Sequence, residues 1–206
     1  MDALLSAQAH TDFTDIVLDD AKHTVFYSDP EVKIDLGAVA KGYAADLIRD
    51  YLQNEMPSFL LSLGGNVYAG DAPRDGRSAW AVAVQDPRPA GDGVLPGADR
   101  LDILDIAGLT AVTSGDYWRY YTVDGKRYHH IIDPKTLMPS TAMLSVTVVG
   151  ESSLLADYLS TTLFILPYDE GAELIASLDG VEALWVLPDG SIQASPGMAR
   201  YARSLQ

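Results

Sequence analysis

Cysteine is absent from the 206 residues, which excludes disulfides, thiol nucleophiles and zinc–thiolate centres and leaves the redox compartment unmarked. No run of about 18 apolar residues exists, so no segment reads as a bilayer-spanning helix. The opening "MDALLSAQAH" lacks a basic n-region and a long apolar h-region, so no signal peptide is expected in this chain. Internal repeats and low-complexity tracts are missing too. Basic residues are scarce: 14 Lys and Arg against 29 Asp and Glu give a formal charge of −15. Such a surface repels nucleic acid and anionic lipid, and repels phosphorylated ligands unless a metal or a local basic spot screens them. What is present, 48% hydrophobic and 21% charged residues, describes a globular chain long enough for one domain with a core, taken as residues 1–206.

The local patterns alternate between strand and helix. "TDIVLD" and "HTVFYS" read as two short strands around a turn. "KIDLGAVAKGYAADLIRDYLQNE" starts as a strand and turns helical, with Ala40, Ala44, Leu47, Ile48, Tyr51 and Leu52 as the expected apolar stripe and Asp46, Arg49 and Asp50 off it. "SFLLSLGGNVYAG" reads as a buried strand ending in a glycine turn, "AWAVAVQDP" as an alternating strand, and residues 87–99 as a loop. "LDILDI", "LTAVTSGD", "RYYTV", "RYHHIID" and "LSVTVVG" read as further strands, with "VDGK" as a hairpin turn. "ESSLLADYLSTTLFILP" and "YDEGAELIASL" are the remaining helices, and "VEALWVLPDGSIQAS" closes as a hairpin. Single helices among many hairpin-like strands predict an α+β fold with a mixed, largely antiparallel sheet.

Asp157 stands inside the apolar run of "LLADYLSTTLFI". A carboxylate there is costly to bury without a partner. Thr161 follows one helical turn later and points the same way, so the two offer hard oxygen ligands of the kind magnesium takes together with waters and phosphates. The alternative is a carboxylate bonded to a backbone amide or an arginine in the core. His129 and His130 are adjacent in "RYHHIIDPKT", so in a strand they face opposite sides. His130 can serve as a general base or a phosphate-side donor, or be simply a hairpin histidine near a turn, and Asp133 lies three residues on, just before a proline. Gly64 and Gly65 of "SLGGN" permit close backbone approach to a ligand. "DLGAVAKGYAAD" puts Gly37 and Lys41 at a helix start, which suits an anionic group, without the spacing of a P-loop. "TSGDYWRYY" adds Ser114, Gly115, Asp116 and Arg119 in a polar turn.

Taken in order, "DLGAVAKGYAAD", "LSLGGN", "VTSGDYWRYY", "YHHIIDPKT" and "SVTVV…LADYLSTTLF" resemble the ApbE family of FAD:protein FMN transferases. The resemblance implies an ApbE-like (T-fold-like) architecture. It implies a magnesium-dependent reaction in which a threonine hydroxyl of an acceptor protein attacks the FMN-side phosphorus of FAD and AMP leaves. By position, Asp157, Thr161 and the carbonyl of Ala40 match the metal ligands. His130 matches the group that takes or steers the threonine proton, with Asp133 orienting the loop or the histidine. Lys41, Gly64, Gly65, Ser114, Gly115, Asp116 and His130 are expected along the nucleotide. Relatives often carry glycine where Leu137 stands, which predicts a different turn here. They also carry a long N-terminal part ahead of "DLGAVAKGYA", including an export or lipoprotein signal, so the chain is expected to correspond to the C-terminal portion, either an excised region or a naturally short homologue, with the flavin side of its site open. Family members usually act outside the bacterial cytoplasm. Two further readings keep Asp157: a non-catalytic FAD- or metal-binding remnant, and a magnesium-dependent FAD pyrophosphatase.

Overall fold

The structure, a computed structural model, describes residues 2–88, 100–117 and 119–206; all but the first two residues of the expected 87–99 loop lie outside them. A short helix α1 (Asp2–Gln8), which the sequence pattern does not announce, precedes the antiparallel hairpin β1 (Ile16–Asp19) and β2 (Thr24–Tyr27). Residues 32–36 form no regular element, so the strand expected before the first long helix is not formed. Helix α2 (Ala40–Gln53) follows, then β3 (Leu60–Leu63) and β4 (Asn66–Ala69). These two strands correct the reading of a single buried strand. Gly64 and Gly65 both take positive φ, 56° and 101°, and fold the segment into a hairpin whose inner strand β4 is buried and whose outer strand β3 is half open.

The ribbon β5 (Trp80–Gln85) and β6 (Arg100–Ile106) comes next, then β7 (Leu109–Gly115). Strands β8 (Tyr120–Val123) and β9 (Lys126–His129) form the expected hairpin. Asp124 and Gly125 both take positive φ at its tip, as a tight turn matched to strand twist requires. The strand expected over "RYHHIID" breaks at His130 and resumes as β10 (Ile132–Asp133), paired with β11 (Met138–Pro139). After β12 (Ser145–Gly150) come α3 (Ser153–Ile165), α4 (Tyr168–Ala176) and the closing hairpin β13 (Glu182–Val186) and β14 (Ile192–Ala194).

The central sheet has six strands in the order β14-β13-β12-β7-β4-β3, and each neighbouring pair is antiparallel. Both faces are covered. Val146 and Val148 of β12 and Trp185 of β13 join Leu159, Leu163, Phe164 and Ile175 of α3 and α4 in one core. The alternate residues Val149, Leu184 and Val186 join Val82, Val84, Leu104 and Ile106 of the β5–β6 ribbon on the other face. Period-two alternation thus feeds two cores from the same strands. Among the described residues no helix is long and apolar enough to cross a membrane.

Helix α2 keeps only part of its expected stripe: Ala44, Ile48 and Leu52 are half-buried, but Ala40 is exposed. Tyr43, Leu47 and Tyr51 are 54%, 52% and 76% exposed, while Gly42 and Ala45 are buried. The reason is a close helix contact. A Cβ on Gly42 would lie 2.2 Å from the Ser153 carbonyl oxygen and 2.8 Å from Asp157 Cβ, so only glycine allows α2 to lie this near α3. The contact is polar as well. Asp46 accepts hydrogen bonds from Ser153 N–H at 2.8 Å, Leu154 N–H at 3.0 Å and Ser152 Oγ–H at 2.9 Å. A carboxylate of α2 therefore satisfies the free amides that open α3, where the helix dipole favours negative charge. Arg49 holds Asp46 from one turn on, at 2.8 Å.

Candidate active site

Helix α3 begins at the N-cap Ser152, whose hydroxyl accepts from Leu155 N–H at 3.2 Å, and stops ahead of Pro167. It is apolar on most sides because it lies between the sheet and α2. Asp157 is therefore 3% exposed. Its Oδ2 accepts from Gly42 N–H at 2.9 Å, and its Oδ1 lies 3.4 Å from Lys41 Nζ. Within the protein, then, the carboxylate is held by a backbone amide and a lysine. The glycine that permits the helix contact also supplies the amide.

Asp157 forms part of the wall of a cleft of about 470 Å³. Lys41, Gly64, Ser114, Gly115, His130 and Thr161, all singled out from sequence, line the same cleft. They come from α2, the β3–β4 turn, the end of β7, the β9–β10 link and α3, which converge at one end of the sheet. Ala40 opens α2 one residue before Lys41. Gly65 belongs to the same turn as Gly64 but is not part of the cleft wall. Asp116 turns away and faces Arg127 at 3.4 Å beside a second cavity. Asp133 also lies off the wall. Its Oδ1 accepts from Lys135 N–H at 2.8 Å, so its contact is with its own loop and not with His130.

Leu137 stands in the turn between β10 and β11. It takes φ +59°, the left-handed region that glycine enters freely. Its N–H donates to Asp133 O at 2.8 Å. The leucine holds this left-handed conformation at a conformational cost.

The two histidines diverge as the alternation requires. His129 is buried, with Nε2 2.9 Å from Ser140 O, against the edge of the Phe164 ring. His130 stands at the cleft mouth, where its Nδ1 lies 3.3 Å from Arg119 O. A carbonyl only accepts, so this contact sets the tautomer with the proton on Nδ1 and leaves Nε2 free to take one. Loss of water around the ring pushes the His130 pKa down; the Arg119 carbonyl opposes this, and the charges of Arg119 and Lys41 add to it.

Sequence reasoning missed Asp35, Ala38, Thr113, Ile131, Ile132 and Ile165, which also line the cleft. Asp35 carried a legible signal, the Asp-x-Gly of "DLG": its Oδ1 accepts from Gly37 N–H at 2.7 Å and shapes the approach to α2. The isoleucines carried none, since nothing separates a cleft-wall isoleucine from a core one in sequence.

Lys41 and Arg119 make a local basic spot beside Asp35 and Asp157 in the same wall, on a chain of charge −15. The donors also suit a small hard cation. Among the described residues Oδ1 of Asp157 has no backbone donor, and Thr161 lines the same wall. Among the described residues no three or more His, Cys, Asp or Glu gather as a metal cluster. A cation here would draw on hydroxyl, carbonyl, water and phosphate oxygens, as magnesium does.

The ApbE family model matches residues 1–185. An FAD:protein FMN transferase of Treponema pallidum is 38% identical over 99% of this chain and 59% of its own length. One from Klebsiella pneumoniae is 35% identical over 91% of this chain and 56% of its own. The crystal structure of the ApbE protein of Thermotoga maritima superposes with a TM-score of 0.85 at 34% identity, over 98% of this chain and 63% of that one. The chain thus spans about three fifths of the length of these relatives. The match over most of its residues and the shared fold place this chain in the ApbE family.

Proposed function

We propose that this chain carries the nucleotide and metal side of an FAD:protein FMN transferase, a reading supported above all by Asp157, Thr161, Lys41, Ser114 and His130 lining one cleft. In this reading Asp157, Thr161 and the Ala40 carbonyl would hold magnesium, which when bound supplies positive charge to the pyrophosphate oxygens. Lys41 and Arg119 attract and seat the anionic bridge of FAD. The glycines at 64 and 115 let it approach the backbone. His130 Nε2 takes the proton from the acceptor threonine hydroxyl. The threonine oxygen bonds to the FMN-side phosphorus, the bond to the AMP oxygen breaks, and AMP departs. An extracytoplasmic acceptor protein completes the reading.

The test is in-gel flavin fluorescence of a threonine acceptor incubated with the chain, FAD and magnesium, with and without chelator. A fluorescent acceptor band lost with chelator and in Asp157→Asn is expected. AMP release without an acceptor band would replace transfer by FAD hydrolysis. FAD binding without either product would make the chain a binding module.

A further inference from the structure

Ser160 touches nothing in the cleft, yet its hydroxyl determines how the hydroxyls at the cleft wall are ordered. It is fully buried, and its Oγ–H donates to the Asp157 carbonyl oxygen at 3.0 Å. A hydroxyl has one proton, so Ser160 has none left for Ser114, whose Oγ lies 2.9 Å away. Ser114 must donate to Ser160. Ser114 then has no proton for Thr161, whose Oγ1 lies 3.4 Å from it. The one direction that satisfies all three contacts runs from Thr161 to Ser114 to Ser160 to the Asp157 carbonyl.

We propose that Ser160 is a positioning residue that, through Ser114, turns the Thr161 proton inward and leaves only lone pairs of Thr161 facing the cleft. A cation needs that polarity, because a hydroxyl presenting its proton repels it. The proposal rests on the metal reading of Asp157 and Thr161, and it extends that reading to residues that no cation would touch. Hydrogen bonds behind a ligand commonly set both its orientation and its strength.

Ser153 supplies the control. It is also a fully buried serine of α3, and its Oγ–H donates at 3.1 Å to Thr110 on the same strand β7. It therefore stitches the same seam without reaching Thr161. The experiment measures Mn²⁺ binding to the whole chain by electron paramagnetic resonance, counting as the site's share what Asp157→Asn loses. Ser160→Ala is expected to weaken that share about tenfold, and Ser153→Ala to change it less than twofold. Ser114→Ala, at the half-buried end of β7, reads the same relay if Ser160→Ala does not fold, and is expected to weaken binding as much. Equal losses in Ser153→Ala and Ser160→Ala would reduce the effect to helix–sheet packing and overturn the proposal. An unchanged Ser160→Ala with binding lost in Asp157→Asn would overturn it and leave the metal reading standing. Wild type and Asp157→Asn binding alike would overturn both.

Discussion

His130 has its proton placed by a carbonyl and its charge disfavoured by lost water and two neighbouring cations. Its folded pKa is lowered from the ordinary 6.5, so the neutral ring persists to lower pH than in a free histidine. The acid limb of a transfer rate that depends on Nε2 is expected to have its midpoint below 6.5, read from single-turnover rates across pH; a midpoint above 6.5 would remove His130 from that role. His130→Ala is expected to cost about 10²–10⁴-fold in transfer rate, the usual contribution of a positioned base, with FAD affinity changed far less. Leu137 gives a stability test. A β-branched side chain enters the left-handed region with difficulty, so Leu137→Ile is expected to lower stability by about 1–2 kcal/mol in urea unfolding. An unchanged midpoint would mean that the turn relaxes.

At the scale of elements, α2 and α3 are joined by a glycine and a carboxylate. Asp46→Ala removes three hydrogen bonds from the start of α3 and is expected to cost about 1–2 kcal/mol, as lost caps do. Gly42→Ala is expected to cost about 1–3 kcal/mol by overpacking and to cost site metal binding as well, because pushing α2 away breaks the amide bond to Asp157. Calorimetry and Mn²⁺ titration on the same samples separate the two effects. This seam also shows where sequence reading stopped. Helix α3 was legible because an apolar run set between serines and a proline is a local signal. The inward face of α2 was not, because periodicity counts apolar side chains, whereas this contact is made by a missing side chain and a charged one. The hairpin at "VDGK" was legible from its turn residues, and the one at "LGG" was read as a strand end, although the glycine pair was there to be read. In the site, the cleft residues that lie in the family-like motifs were named, while Asp116 and Asp133 came with those motifs but face elsewhere.

Over the whole molecule, the sheet divides work between its faces: the ribbon side is a core, and the helical side carries the cleft at its end. The N-terminal segment is fastened by charge. His10 Nδ1 meets Asp29 Oδ2 at 2.6 Å, and Glu31 lies 3.4 Å from Nε2. The Asp29 hydrogen bond holds the His10 pKa above its ordinary 6.5. Protonated His10 therefore stabilises this contact fully below 6.5, and the contribution is lost as pH rises through the raised value. Amide exchange in α1 is expected to quicken from pH 6 to pH 8, beyond the intrinsic base-catalysed rise, and Asp29→Asn is expected to abolish the excess. The seam between α2 and α3 also has a consequence in time. Lys41 and Asp157 are separated by 116 residues of chain, which a ribosome adding about 5–20 residues per second takes roughly 6–23 s to make. Throughout that interval a nascent chain displays Lys41 and Gly42, joined later by both turn glycines, without the Asp157 carboxylate to close against, so the cleft is among the last parts of the molecule to come into being.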